Sequence, residues 1–248
     1  MNLLEGKNLT KRYTRSGVHV DALKDVGFTL ADGEILGVVG ESGSGKSTLL
    51  KLVSGLEKPD RGELLFSGSP LPPRRTKAQY RAIQMVFQDA VGSFHPRRRV
   101  SASIRDAVRS LCGPDAEIDV AGLCATVGLD PKLAERYPGE LSGGQCQRFA
   151  IARAVAANPK VLLCDEITSA LDVSTQAQVL ELLAEICRVR RMAALFVSHD
   201  LAVVSCLCSR VMVLYRGELA EEGPVRRIID APQEAYTKKL VSSVLEVK

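Results

Sequence analysis

The chain has 248 residues, of which 46% are hydrophobic and 25% charged, and it contains no tryptophan. This balance is ordinary for a folded domain and excludes a disordered or fibrous protein. The net charge of +4 is too small to favour a nucleic-acid partner. No apolar run reaches the roughly 18 residues that a membrane-spanning helix needs.

The N-terminus and the cysteines indicate a protein that stays in the cytoplasm. Residues 1–11 lack the apolar segment of a signal peptide. The seven cysteines show no paired C-x-x-C spacing, and Cys206 and Cys208 are their only close pair. We therefore do not expect a disulfide framework or a cysteine metal site.

Short apolar runs alternate with longer helical patterns, which predicts an α/β domain with a mainly parallel sheet. Buried strands are predicted at residues 34–39, 83–87, 161–164, 193–198 and 210–215. The first 30 residues instead predict an antiparallel hairpin layer, with a polar turn over residues 13–20.

Strand signals stop between residues 88 and 158, where helical patterns cover residues 100–111, 116–127 and 143–157. We therefore expect one domain over residues 1–248, with a core and β layer at 1–88 and 159–248 and an inserted helical subdomain at 89–158. Asn158 ends the insert because proline follows it. Residues 232–248 predict a short amphipathic helix.

The first chemical motif follows the predicted strand 34–39. The run from Gly40 to Ser47 matches the phosphate-binding pattern G-x-x-x-x-G-K-[ST] and precedes a predicted helix at 48–54. Glycines let the backbone N–H groups wrap a phosphate, and a helix N-terminus adds partial positive charge. The alternative is a chance glycine-rich turn, which would not require a strand before it and a helix after it. The predicted ATP site comprises Gly40, Glu41, Ser42, Gly43, Ser44, Gly45, Lys46, Ser47 and Thr48.

Within this loop, the side chains have separate expected roles. Lys46 is expected to reach the β- and γ-phosphates, and Ser47 to give a hydroxyl to Mg²⁺. Thr48 is expected near the α-phosphate. ATP and Mg²⁺ are therefore the predicted cofactors.

Two acids, Asp165 and Glu166, end the apolar run 161–164. Asp165 is expected to hold the Mg²⁺ shell, and Glu166 to orient and polarise the attacking water. Alone, the pair is weak evidence, because acids on the surface often follow strands. Together with the phosphate-binding loop it predicts ATP hydrolysis.

The string Leu141-Ser142-Gly143-Gly144-Gln145 resembles the signature motif of ABC ATPases. Ser142 is a favourable helix N-cap, and the two glycines permit close approach of a backbone. The resemblance implies that this motif faces the γ-phosphate bound by a partner cassette, so that two chains enclose two ATP molecules. The alternative is a helix that is merely capped.

Other residues are similar to further elements of this family, in the same order and over nearly the whole chain. Tyr13 resembles the aromatic that stacks on adenine, with Val20 beside it. Gln88 resembles the glutamine that touches Mg²⁺ or water and senses the membrane subunit. The string Ser169–Asp172 resembles the D-loop, which Asp172 ends. His199, expected to head a helix, would contact the γ-phosphate as the switch histidine. Taken singly, most of these residues would be structural.

One position departs from the family pattern. Ile167 follows Glu166, where the family usually has proline. Proline would fix φ near −65°, so isoleucine predicts a looser segment. Both acids remain, and we expect activity to survive.

Residues 87–89, 93–97 and 165–178 resemble the importer branch that serves dipeptides, oligopeptides and nickel or metal chelates. Residues 232–240 resemble the segment that ends the cassette in that branch. No longer cysteine-bearing tail follows, which favours the nickel or metallophore members.

The resemblance implies an ATP-hydrolysing subunit that powers an importer from the cytoplasmic face of the inner membrane. Its implied partners are a second cassette, two permease subunits and, indirectly, an extracytoplasmic solute-binding protein. The alternative is a soluble ABC ATPase of translation or DNA repair, which would usually carry two cassettes or a long coiled-coil insertion. A module without turnover would be favoured only if Glu166 or His199 were missing.

Two basic segments complete the sequence. Residues 88–99 are interpreted as a docking surface for a permease helix, with Phe94 as an exposed aromatic anchor among arginines. The alternative is a basic surface loop without a role. Arg74 and Arg75 are interpreted as a solvated run.

Overall fold

The computed structural model describes residues 2–15 and 17–245. It divides into two compact units. The first unit comprises Met1–Arg75 and Ala193–Lys248, and the second comprises Thr76–Met192. In the described ranges, no helix combines the length and apolar character needed to span a bilayer. The predicted helical subdomain at 89–158 stays a prediction.

An antiparallel sheet forms one layer of the first unit. Its strands β1 (Asn2–Arg15), β2 (Val18–Ala31), β4 (Arg61–Phe66) and β5 (Ser69–Pro70) lie in the order β2-β1-β4-β5. This confirms the predicted antiparallel layer. The predicted turn over residues 13–20 was too long, because the β1–β2 ladder continues to the pair Arg15–Val18.

A second sheet in the first unit is mainly parallel. Strand β3 (Ile35–Val39) lies between β8 (Ala193–Val197) and β9 (Arg210–Tyr215) and is parallel to both. Strand β10 (Glu218–Pro224) adds antiparallel to β9. All five residues of β8 are buried, which explains why its sequence is a continuous apolar run.

The helices of the first unit are α1 (Lys46–Ser54), α7 (Leu201–Leu207), α8 (Val225–Asp230) and α9 (Ala235–Leu245). Helix α1 begins two residues before the predicted start at Thr48. Helix α9 lies within the amphipathic segment predicted at 232–248, of which residues 246–248 fall outside the described ranges.

The second unit contains the parallel pair β6 (Ile83–Val86) and β7 (Val161–Asp165). Its helices are α2 (Lys77–Ala82), α3 (Val100–Cys112), α4 (Val120–Thr126), α5 (Gly143–Val155) and α6 (Val173–Arg190). The helix predicted at 116–127 begins later, because the Asp119 carboxylate caps it by accepting the N–H of Gly122 at 2.9 Å. The five predicted buried strands agree with the observed ones to within one residue at either end.

The adjacent arginines at the end of the first segment differ in environment. Arg74 is exposed, whereas Arg75 is buried and donates hydrogen bonds to the carbonyls of Leu52 and Val53. These carbonyls belong to the last turn of α1, where acceptors have no partner within the helix, and the Leu52 carbonyl also accepts the N–H of Gly55. The interpretation of both arginines as solvated was therefore wrong for Arg75.

Candidate functional site

The glycine-rich loop connects β3 to α1 in the first unit. Gly40 has φ 152°, and a Cβ there would lie 2.2 Å from the carbonyl oxygen of Leu214. Gly45 has φ 109°, and its Cβ would lie 2.5 Å from the carbonyl oxygen of Ala22. Only glycine fits these two positions, so the motif glycines are required by the close approach of neighbouring backbone.

The positive charge of the loop is held at its centre. Lys46 is only 4% exposed, and its ammonium donates hydrogen bonds to the carbonyls of Gly40 at 2.7 Å and Glu41 at 3.0 Å. Ser44 Oγ is buried and has no hydrogen-bond partner among the described residues. Ser47 and Thr48 are half-buried in the first turn of α1. A buried ammonium beside a glycine-lined loop and a helix N-terminus fits a phosphate group.

His199 lies beside the same loop. Together with Gly40, Glu41 and Ser42 it lines a cavity of about 430 Å³ whose other wall is helix α9. His199 itself is exposed and precedes α7, whose N-cap is Asp200. The structure therefore brings His199 and the loop together. The prediction that His199 heads the helix was wrong, because α7 begins at Leu201.

The predicted adenine residues face each other in the antiparallel layer. Tyr13 and Val20 are direct partners across the β1–β2 ladder. Val20 is 55% exposed, and the Lys11 ammonium lies 5.3 Å from the centroid of the Tyr13 ring. Tyr13 is half-buried, so the pair offers an aromatic ring and an exposed aliphatic side chain to a planar base.

The carboxylates lie at the end of β7 in the second unit. Asp165 is the last residue of the strand, and Glu166 follows with φ 45°. A left-handed conformation costs a non-glycine residue about 1 kcal/mol or more, and such strain is concentrated at functional sites. Both acids are half-buried. Ile167 is only 2% exposed, so its side chain packs in the core; the looser segment expected there stays a prediction.

Gln88 meets Glu166 in the second unit. The Gln88 amide nitrogen lies 3.4 Å from Glu166 Oε2 and donates to Ser169 Oγ at 3.3 Å. The Ser169 hydroxyl in turn donates to the carbonyl of Glu166 at 2.9 Å. Sequence reasoning placed Ser169 in the D-loop but missed this contact, because side-chain contacts over about 80 positions leave no local pattern.

The signature string begins helix α5 as predicted. Ser142 Oγ accepts the N–H of Gln145 at 3.2 Å, and Gln145 Oε1 accepts the N–H of Ser142 at 3.0 Å. This reciprocal capping box fixes the helix N-terminus. A Cβ at Gly144 would lie 2.6 Å from Thr175 Cγ2, so the glycine permits close packing of α5 against α6. Leu141, half-buried, precedes the cap.

Asp172 caps the neighbouring helix α6. Its carboxylate accepts the N–H of Thr175 at 2.9 Å and the hydroxyl of the same residue at 2.7 Å. These hydrogen bonds hold the pKa of Asp172 below its usual value. Ser142, Gly143 and Asp172 line one surface pocket of about 380 Å³. The structure thus places the signature and D-loop residues side by side.

The segment at 88–99 differs from the prediction in one important respect. Phe94 is 3% exposed, and the Arg153 guanidinium covers its ring at 4.2 Å from the centroid. Arg153 also donates to the carbonyl of Ser93 at 2.6 Å. Phe94 is therefore a core residue, and its interpretation as an exposed anchor was wrong. The exposed large apolar side chain in the described segment 88–99 is Val91 at 44%, and Phe87, at 40%, directly precedes the segment.

One protein-family model matches more than half of the chain. The model of the family described as ABC transporter matches residues 23–169. Over 255 aligned residues the chain is 44% identical to the glutathione import ATP-binding protein GsiA of Escherichia coli (strain K12) and of Shigella dysenteriae serotype 1 (strain Sd197). The alignment covers 98% of this chain but 41% of each relative. The chain therefore spans less than half the length of these curated relatives.

Solved structures show the same architecture. A dimeric structure of the ATP-binding cassette MJ0796, in a post-hydrolysis state bound to ADP and Pi, is 30% identical, with a TM-score of 0.79 and coverage of 90% of this chain and 99% of that chain. The structure of cbiO1 from Clostridium perfringens, part of the ABC transporter complex cbiONQ, is 25% identical with a TM-score of 0.80. That alignment covers 100% of this chain and 95% of cbiO1.

Proposed function

Because the chain belongs to the ABC transporter family and is an ATPase of this type, we propose that it is the energy-coupling subunit of an importer for small peptides. The observation that carries the catalytic part is the loop between β3 and α1, with its buried Lys46 ammonium. The observation that carries the import part is the 44% identity to proteins named for glutathione import.

The residues of the first unit would bind the nucleotide. Lys46 exchanges its loop carbonyls for the β- and γ-phosphates, and the N-terminal turn of α1 adds N–H donors. His199, which lines one cavity together with the loop, contacts the γ-phosphate. Tyr13 and Val20 hold the adenine. In this arrangement, the backbone N–H groups of the loop and the Lys46 ammonium bind the phosphates, and the antiparallel layer contacts the base.

The residues of the second unit would perform the hydrolysis. Asp165 and Gln88 would offer oxygen ligands to Mg²⁺ from this unit, as Ser47 would from the first, and the bound ion would supply positive charge to the phosphates. Glu166 accepts a hydrogen bond from the water that attacks the γ-phosphate and polarises it. Gln88, within 3.4 Å of the Glu166 carboxylate, positions that group.

A second cassette would complete each site. The capped N-terminus of α5, at Ser142, Gly143 and Gly144, offers N–H donors to the ATP held by the partner's loop. Leu141 and Gln145 frame this turn, and Asp172 lies in the same pocket. The dimeric cassette MJ0796 is a precedent for two such chains together.

Membrane attachment would come from partners. We place the chain on the cytoplasmic face of the inner membrane, bound to two permease subunits that receive solute from an extracytoplasmic binding protein. Glutathione is itself a tripeptide, so peptide import agrees with the names of the relatives, whereas nickel or metallophore import has only the sequence resemblance. No named relative favours a soluble ATPase of translation or DNA repair.

Transport in whole cells tests this proposal. Uptake of radiolabelled glutathione, a dipeptide and nickel is compared between the parent strain and strains that carry Lys46→Ala or Glu166→Gln. Loss of peptide uptake in both variants is expected, with the chains present at normal levels in the membrane fraction. Unchanged uptake of all three solutes would refute the assignment to an importer.

A further inference from the structure

Helix α9 reaches back to the phosphate-binding loop. The backbone N–H of Glu41 donates a hydrogen bond to the Tyr236 hydroxyl at 2.9 Å. The Tyr236 ring stacks on Tyr215 at the end of β9, with ring centroids 4.1 Å apart and an interplanar angle of 26°. A side chain near the C-terminal end of the chain therefore touches the second residue of the nucleotide loop.

The start of α9 is fixed independently of this contact. Glu221 on β10 is only 7% exposed, and its carboxylate accepts the N–H groups of Gln233 at 3.0 Å and Glu234 at 3.1 Å. A carboxylate at a helix N-terminus satisfies donors that have no partner within the helix. Thr237, next to the tyrosine, is fully buried. The start of α9, and with it Tyr236, is therefore fixed by β10 rather than by the phosphate-binding loop.

A second contact holds the loop three residues further on. The N–H of Gly217, in the β9–β10 turn, donates to the carbonyl of Ser44 at 3.0 Å. Within the loop, the N–H of Ser44 donates to the carbonyl of Glu41 at 3.1 Å. The turn between Glu41 and Ser44 is therefore fixed at both ends by elements that follow β9 in the chain.

The hydroxyl of Tyr236 has the right charge for this position. A tyrosine phenol is neutral at physiological pH, and burial raises the pKa of Tyr236 further. Its oxygen can accept the Glu41 N–H without placing a negative charge beside the phosphates. A carboxylate in the same place would repel them.

We propose that Tyr236 is a positioning residue for ATP binding, through which α9 holds the phosphate-binding loop in its binding conformation. A loop that is already ordered loses less conformational entropy when it takes up the phosphates. The inference rests on the assignment of this loop as the nucleotide site. The proposal adds to that site a residue from helix α9. It also makes the affinity for nucleotide depend on the position of α9.

The test compares two tyrosine-to-phenylalanine variants of the full chain. Tyr236→Phe keeps the ring stack and removes the acceptor for Glu41, whereas Tyr215→Phe keeps the same stack and leaves the acceptor in place. For Tyr236→Phe we expect a roughly five- to tenfold rise in the KM for ATP and in the Kd of a fluorescent ATP analogue, as for one lost hydrogen bond. We expect kcat within about twofold of the parent, since Glu166 and Gln88 are unchanged.

The outcomes separate this inference from the nucleotide-site assignment. Equal KM and Kd in Tyr236→Phe and Tyr215→Phe would overturn the role of Tyr236, as would equal losses of thermal stability and kcat with no change in KM. Lys46→Ala, measured alongside, is expected to lose binding of the analogue. Loss in Lys46→Ala without any effect of Tyr236→Phe defeats the inference alone, and normal binding by Lys46→Ala defeats the site and the inference together.

Discussion

The side-chain nitrogen of Gln88 lies 3.4 Å from Oε2 of Glu166. The same nitrogen donates to Ser169 Oγ, which is hydrogen-bonded to the carbonyl of Glu166. Glu166 adopts φ 45°, so this glutamate is held both by its backbone conformation and by its neighbours. Displacing the Gln88 side chain would therefore change the hydrogen bonds around the Glu166 carboxylate.

Replacing the glutamate by its amide gives the first prediction. In Glu166→Gln, turnover should fall at least about 100-fold, because the amide is a poor proton acceptor for the attacking water. Affinity for ATP should stay within about threefold of the parent, since Lys46 and its loop are unchanged. Phosphate release and equilibrium binding of a fluorescent ATP analogue measure the two effects.

A control variant and a second measurement make this test specific. Glu185→Gln is the matched control, because Glu185 is an exposed residue of α6 that pairs with Arg188, and it should keep normal turnover. Gel filtration with ATP should show a stable dimer of Glu166→Gln. Turnover within about threefold of the parent would remove Glu166 from its assigned role.

The capped N-terminus of α5 gives the second prediction. Ser142→Arg should leave ATP binding by the isolated chain unchanged and stop hydrolysis, because the arginine blocks the face offered to the partner's nucleotide. Ser110→Arg, on the exposed face of α3, is the control and should hydrolyse ATP normally. ATPase assays on mixed dimers locate the defect.

In those mixed dimers, one chain carries Ser142→Arg and the other carries Lys46→Ala. If the signature acts across the interface, both defects fall on the same composite site, and the second site keeps its activity. If Ser142 acted on its own chain, each site would carry one defect and all activity would be lost. That second result contradicts the proposed arrangement.

The segment at 88–99 gives a third prediction, revised by the structure. Val91 is exposed and Arg97 has no side-chain partner in the described part of the chain, whereas Arg98 pairs with Asp106 and Arg99 with Glu135. The double variant Val91→Glu, Arg97→Glu should spare ATPase activity of the free chain and lower its recovery with the permease subunits. Co-purification from detergent measures the recovery.

Phe94→Ala is the contrasting variant in the same segment. Loss of a buried phenylalanine typically costs about 3–5 kcal/mol, so this change should lower stability and activity of the free chain. The Val91 and Arg97 variant should instead unfold like the parent. Normal recovery of that variant with the permease, together with normal uptake, would remove the docking role.

The strands and the nucleotide loop could be predicted because their signals are local. Buried parallel strands read as unbroken apolar runs, and the loop pattern fixes its own strand, turn and helix. The capping box at Ser142 is equally local, since its partner Gln145 lies one helical turn away. Such features need no knowledge of what packs against them.

The errors concern residues whose environment is set by distant parts of the chain. Phe94 looks exposed in a polar segment, but Arg153 on α5 covers it. Tyr236 looks like one residue of an amphipathic helix, yet it contacts Glu41 across 195 positions. Burial at such positions depends on tertiary packing, which a local pattern does not encode.

The neighbouring arginines 74 and 75 give the last prediction, because only one of them is buried. Arg75→Met should lower the free energy of unfolding by about 2–3 kcal/mol, since the buried Val53 carbonyl would lose its charged donor and the Leu52 carbonyl would keep only the N–H of Gly55. Arg74→Met changes an exposed side chain and should stay within about 0.5 kcal/mol of the parent. Urea unfolding followed by circular dichroism measures both midpoints.

A substitution at Gly55, on the other side of the same contact, should partly reproduce the loss of stability expected for Arg75→Met. Gly55 ends α1 with φ 81°, and a Cβ there would lie 2.9 Å from Arg75 Nε. Gly55→Ala should therefore destabilise the chain both through its backbone strain and by displacing the guanidinium. Because the two variants disturb one contact, their combined cost should be smaller than the sum of the single costs. Additive costs, or equal midpoints for Arg74→Met and Arg75→Met, would contradict the assignment of Arg75 as the cap of α1.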